Sequence, residues 1–77
     1  MGVIGLDELP TGDEAEIESV SGGGSVMSRL AALGFVPGSR VTMLQNRGHG
    51  PIIVGIIHTR VALGRGEAGS IRARRIG

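Results

Sequence analysis

Glycine spacing is the feature that most restricts what this chain can fold into. Fifteen of its 77 residues are glycine, and they stand between short apolar runs. A glycine inside a helix costs about 1 kcal/mol relative to alanine, so this density excludes a helical bundle. Short apolar runs separated by glycine-containing turns are typical of small β domains. The length leaves room for a single domain, residues 1–77.

Five segments predict strands. In Glu14–Val20, glutamates alternate with Ala15, Ile17 and Ser19, which is the pattern of a strand buried on one face. The other predicted strands are Arg40–Asn46, Pro51–Ile57, Arg60–Leu63 and Ser70–Ile76. Short sheets expose their edges unless they close, so we expect a mainly β fold, a small SH3-like, five-stranded, partly open barrel.

One short helix is predicted, inserted after the first strand. Ser25 is placed to cap it, and Val26, Leu30 and Leu33 recur at the spacing of one helical face. Gly34 follows where a left-handed residue would end the helix. A helix of about nine residues is not stable alone, so it must pack on the sheet.

Charge and composition restrict the partners. Eight arginines and seven acids give a net charge of +1, which favours neither nucleic acid nor an anionic membrane surface. No run approaches the roughly 20 apolar residues of a membrane-spanning helix, and the N-terminal segment lacks the features of a signal peptide. Cysteine is absent, which fits a reducing compartment. We expect a cytoplasmic protein with no nucleic-acid partner and no membrane insertion.

The sequence offers no catalytic constellation. It has no Cys, Tyr or Lys, and neither histidine has a nucleophile and an acid at matched spacing. His49 and His58 are the candidate metal ligands, but nine positions apart they form no recognised motif. We therefore expect two solvated histidines, no cofactor, and a protein that binds a partner and is not an enzyme.

Two further features allow structural readings. Gly22–Gly24 lacks the Gly-Lys-Ser/Thr of a phosphate loop, so it predicts either a loop passing close to its neighbours or one that contacts a partner. Arg72, Arg74 and Arg75 lack stacking aromatic neighbours and predict a solvated edge strand.

The segments Gly22–Gly24, Arg29–Leu30 and Leu33–Gly38 together resemble the FeoA family. The resemblance extends to Leu6 and Leu9, to Arg60–Leu63, and to Glu67, Ala68 and Ile71. It departs from the family at Ile52–Ile57, which is apolar on both faces, and at His58, where a glycine is usual.

The resemblance implies an SH3-like accessory protein of ferrous iron uptake. Such a protein would dock on the cytosolic part of the FeoB-type GTPase transporter and modulate its activity or assembly. The same barrel forms the C-terminal domain of metal-dependent repressors, so a stand-alone regulatory or metal-sensing barrel is the alternative.

The predicted docking surface combines the helix, its flanks and the outward residues of the third strand. Its residues are Gly23, Gly24, Met27, Arg29, Leu33, Ile53 and Ile57. A second copy of the chain is a further candidate partner.

Overall fold

A computed structural model describes residues 2–76, so residues 1 and 77 of the predicted domain lie outside the described part. Within it are six strands, two helices and a 3₁₀ turn. The strands are β1 (Val3–Gly5), β2 (Glu14–Val20), β3 (Arg40–Gln45), β4 (Ile52–Ile56), β5 (Thr59–Leu63) and β6 (Ile71–Ile76). The helices are α1 (Gly24–Ala32) and α2 (Arg65–Gly69), and the 3₁₀ turn is Leu6–Glu8.

All strands pair antiparallel in one sheet, in the order β1-β6-β2-β3-β4-β5. Among the described residues β1 and β5 do not pair with each other, so the barrel is partly open, as predicted. The structure adds one strand to the five expected. This strand, Val3–Gly5, pairs with β6 along its outer side.

The expectation that the arginines of β6 line an edge strand was wrong. Strand β1 pairs with β6 on the side away from β2, so β6 lies inside the sheet, between β1 and β2. Two of its arginines form ion pairs across the β2 side: Arg74 with Glu18 at 2.6 Å, and Arg75 with Asp13. The basic cluster is therefore largely matched by acids of the same chain.

Fifteen apolar side chains form a single buried core: Leu6, Leu9, Ala15, Ile17, Leu30, Phe35, Val41, Met43, Ile52, Val54, Ile56, Leu63, Ala68, Ile71 and Ala73. The predicted alternation holds in β2 as far as Ile17. Ser19 is exposed, because the β2–β6 register shifts between Ile17 and Ser19. A bulge of this kind moves the following side chains to the other face.

Helix α1 begins two residues earlier than predicted. Gly23 is the N-cap, and its carbonyl accepts a 3.0 Å bond from the amide of Met27, so Ser25 lies inside the helix. The predicted end is confirmed, since Gly34 has φ +103°. The amides of Gly34 and Phe35 bond back to Ala31 and Leu30 at 3.0 and 2.9 Å, which forms a Schellman motif. Burial of Leu30 and Phe35 fixes this helix end against the core.

Candidate docking surface

Helix α1 lies on the barrel through one fully buried side chain, Leu30, with Val26 and Leu33 half-buried against the core. Met27 on the same helix stays 44% exposed. An apolar side chain left on the surface of a small domain is available for contact. The helix thus has an anchored side and a free apolar residue.

The glycines at the start of α1 lie in open space. A β-carbon at Gly23 or Gly24 would meet no described atom within 4 Å, so the expected close approach to neighbours is not found there. Only Gly22, with φ +118°, needs glycine for its backbone conformation. Packing within residues 2–76 therefore does not explain why Gly23 and Gly24 are glycines.

Arg29 is part of an ion pair between the two helices. Its guanidinium pairs with the carboxylate of Glu67 on α2, while 56% of the arginine side chain stays exposed. The second oxygen of Glu67 accepts a 3.3 Å bond from the amide of Gly64, at the start of α2. Arg29 is therefore oriented from within the chain and still accessible from outside.

The turn between β4 and β5 lies against the end of α1. Ile57 and His58 form this two-residue turn, with φ +46° and +61°. Ile57 is 68% exposed, and its Cδ1 atom would lie 3.0 Å from a β-carbon at Gly34. Ile57 therefore lies beside the C-terminal end of α1, where Leu33 is the C-cap residue.

Ile53 lies elsewhere on the same strand. It is half-buried and lines a shallow depression with Pro51, Ala62 and His49. Ile57 lines a different depression, so the structure does not join these two isoleucines in one pocket. The alternate residues of β4, which are Ile52, Val54 and Ile56, are buried in the core, in agreement with the apolar pattern.

The two histidines also lie apart. His49 lines the depression beside Ile53, and His58 lines the one beside Ile57. Within residues 2–76 no group of three His, Cys, Asp or Glu side chains could hold a metal ion.

Sequence reasoning missed the concave patch on the outer face of β3, β4 and β5. Its floor is Gly55, and its walls include Leu44, Arg60 and Ile57. Leu44 is 41% exposed. The signal was present, because alternation that buries Val41 and Met43 must turn Leu44 outward.

The fold and this surface define a small β-barrel with an attached helix and exposed apolar side chains, a class suited to binding other proteins. A model of the FeoA domain matches residues 4–75. The chain therefore belongs to the FeoA family, which is involved in Fe(2+) transport. No helix in residues 2–76 is long and apolar enough to cross a bilayer.

Known proteins support both family and fold. An Fe(2+) transport protein A of Methanocaldococcus jannaschii is 32% identical over 57 residues, covering 74% of this chain and 68% of the relative. A crystal structure of the iron uptake regulatory protein FeoA is 31% identical, with a TM-score of 0.92 over 97% of this chain and 100% of that one. A zinc complex of FeoA from Stenotrophomonas maltophilia, a prokaryotic SH3 domain protein, is 35% identical, with a TM-score of 0.80 over 90% and 87%. The predicted SH3-like fold is confirmed.

The barrel also resembles part of a manganese-dependent transcriptional repressor. That structure is 25% identical, with a TM-score of 0.87 over 96% of this chain but only 42% of the repressor. The likeness therefore covers one portion of a larger protein.

Proposed function

We propose that this protein is a non-enzymatic accessory subunit of ferrous iron uptake. It works in the cytoplasm, docks on the cytosolic part of an FeoB-type GTPase transporter, and modulates the activity or assembly of that transporter. Membership of a family involved in Fe(2+) transport supports the pathway. The choice of partner is inferred from the resemblance and from the surface described above.

The observation that carries the docking proposal is the exposed apolar surface on and beside α1. Met27 is 44% exposed and Ile57 is 68% exposed, in a chain that buries fifteen other apolar side chains. Contiguous exposed apolar patches rimmed by polar residues mark protein contact sites, and we interpret these side chains as part of one. Gly23 and Gly24 add accessible backbone at the other end of the helix.

A pull-down with the purified cytosolic domain of the transporter tests the proposal. Wild-type protein should be retained, and Met27→Asp should be retained about tenfold less, since a buried unpaired carboxylate opposes association. Val3→Asp is the matched control, because Val3 is similarly exposed at 39% on the edge strand β1, outside the predicted docking surface. Failure of the wild type to bind would overturn the docking role.

Complementation of an uptake-deficient strain extends the test to the cell. Wild type should restore ferrous iron uptake, while Met27→Asp and Leu33→Asp should not. Leu33 packs partly against the core, so circular dichroism must first show that this second variant is folded. Full rescue by both folded variants would remove α1 from the interface.

A stand-alone regulatory or metal-sensing barrel is the second candidate, favoured by the likeness to the manganese-dependent repressor. It predicts saturable binding of Mn²⁺ or Fe²⁺ at a fixed stoichiometry, measured by isothermal titration calorimetry. The stoichiometry should then fall in His49→Ala or His58→Ala. Unchanged, weak and unsaturable heats in all three proteins would reject it.

A further inference from the structure

One row of residues crosses four strands on the outer face of the barrel. In register, Glu14 on β2 lies beside Thr42, Thr42 beside Gly55, and Gly55 beside Arg60 on β5. Because Gly55 has no side chain, the row contains a gap between its neighbours. Leu44 covers part of that gap, with Cδ1, Cγ and Cδ2 3.4, 3.6 and 3.7 Å from where a β-carbon of Gly55 would lie. We call this gap and its walls (Leu44, Gly55, Ile57, Arg60) the outer trough.

The rim of the outer trough is mainly basic. Arg40, His58 and Arg60 line it against a single acid, Glu14. One carboxylate oxygen of Glu14 accepts a 3.4 Å bond from Thr42. Neither Arg40 nor Arg60 forms an ion pair within residues 2–76, unlike Arg29, Arg74 and Arg75, although Glu16 lies opposite Arg40 in the β2–β3 register. Guanidinium groups without an ion pair beside an apolar gap, Arg60 above all, favour an occupant that carries a carboxylate.

Ile57 adds a second, independent observation. Its φ of +46° places a β-branched residue in the left-handed region, which is a genuine outlier. Two-residue hairpin turns of this kind favour Asn-Gly. Here the side chain is 68% exposed, so core packing does not account for an isoleucine. Strained residues that persist on a surface point to function at that place.

We propose that the outer trough binds an extended peptide segment of a protein partner, in which an apolar residue and an acidic residue stand two positions apart, so that both side chains face the trough. The apolar side chain fills the gap over Gly55, between Leu44 and Ile57. The carboxylate pairs with Arg60 or Arg40. This inference rests on the proposed docking role and deepens it, since it names the chemistry of the segment that the partner presents.

Titration of the ¹⁵N-labelled protein with three capped hexapeptides tests the trough without the transporter. In each peptide every second residue is serine, and the other positions hold aspartate and leucine, lysine and leucine, or aspartate and serine, so that the tested side chains share one face of an extended chain. The aspartate–leucine peptide should give saturable amide shifts at Leu44, Gly55, Ile57 and Arg60. The other two should bind about tenfold more weakly or not at all. Absence of saturable shifts there, or equal binding of the lysine–leucine peptide, would overturn the inference.

Two variants then locate the binding in the trough. Gly55→Val fills the gap, and since valine favours strands and the nearest atoms belong to the flexible Leu44 side chain, the fold should persist. It should weaken the aspartate–leucine peptide about tenfold. Arg60→Glu, an exposed change, should shift the preference toward the lysine–leucine peptide. Gly55→Val acts through volume and Arg60→Glu acts through charge. If Gly55→Val does not fold, Arg60→Glu alone decides whether the peptide binds in the outer trough.

The same variants separate this inference from the docking role. If the transporter domain fails to bind but the aspartate–leucine peptide binds in the trough, the choice of partner is wrong and the trough stands. The opposite outcome is that wild type, Gly55→Val and Arg60→Glu all bind the transporter domain equally well, while the aspartate–leucine peptide gives no saturable shifts. In that case the docking role stands and the trough inference is wrong.

Discussion

The guanidinium of Arg65 donates a 2.7 Å hydrogen bond to the side-chain oxygen of Asn46, and these two side chains together connect three segments of the chain. Arg65 also donates to the carbonyls of Asp7 at 3.0 Å and Gly50 at 3.1 Å. The amide group of Asn46 donates at 2.9 Å to the carbonyls of Asp7 and Leu9. The start of α2, the β3–β4 loop and the 3₁₀ turn are thereby held to each other.

Removing either side chain of this pair should destabilise the fold. We expect Arg65→Met and Asn46→Ala each to lower the free energy of unfolding by about 1–3 kcal/mol. Asn46→Ala leaves the part-buried Leu9 carbonyl without this donor, and Arg65→Met removes the bonds to Gly50 and to the Asn46 side-chain oxygen, while the Asp7 carbonyl keeps one of its two donors in either variant. Their effects should be non-additive by more than about 0.5 kcal/mol, since they share partners. Urea denaturation followed by circular dichroism measures this, because the chain has no Trp or Tyr to report by fluorescence.

The control for that pair is Arg47→Met, in the same loop. Arg47 is exposed, so its replacement should change the free energy of unfolding by less than about 0.5 kcal/mol. Additive effects of the Arg65 and Asn46 changes would show that the two side chains act independently and would contradict the shared network.

Helix α1 should depend on a single buried side chain. Leu30→Ala is expected to lower the free energy of unfolding by about 2–5 kcal/mol, because Leu30 is fully buried in the core. A domain of this size has only about 3–5 kcal/mol available, so the variant should be largely unfolded at 37 °C. Met27→Ala is the matched control on the same helix and should cost less than about 1 kcal/mol. Equal loss in both would contradict the assigned anchoring role of Leu30.

Glycine to alanine substitutions at the two ends of α1 should have opposite signs. Gly24→Ala has open space for its β-carbon and should stabilise the protein by about 0.5–1 kcal/mol. Gly34→Ala should destabilise it by more than about 1 kcal/mol, because φ is +103° and Ile57 lies 3.0 Å from the new carbon. Thermal melts by circular dichroism give both values. Destabilisation by Gly24→Ala would show that this glycine has a structural role after all.

The elements that the sequence predicts well are those whose signals are local. The end of α1 at Gly34 follows from a left-handed glycine next to an apolar periodic run, and both partners of the Schellman contact are near in sequence. Strand β1 was missed because Val3–Gly5 has only three residues, too few to show alternation. Its pairing with β6 comes from contacts across the whole chain, and propensity does not encode them.

The start of α1 shows the same limit on a smaller scale. Ser25 has the better capping side chain, but the helix begins at Gly24, one residue before it. Of the candidate surface, Met27 and Ile57 are exposed, while Ile53, which the alternation along the strand also turns outward, is half-buried. The outer trough was not predicted, because it needs the cross-strand register that places Gly55 between Thr42 and Arg60.

Relief of strain at the β4–β5 turn should raise stability and weaken binding at once. Ile57→Asn with His58→Gly supplies the residues that this turn favours and should add about 1–2 kcal/mol to the free energy of unfolding. For a domain of this size that raises Tm by about 4–8 °C per kcal/mol.

Ile57→Val is the control, because it keeps both the strain and the exposed apolar surface, so Tm and binding of the aspartate–leucine peptide should change little. A stabilised double variant that still binds the peptide as tightly as the wild type would show that the isoleucine is kept for another reason. A double variant that is stabilised but no longer binds the peptide would show that the residues of this turn are kept for binding, although their backbone strain lowers stability.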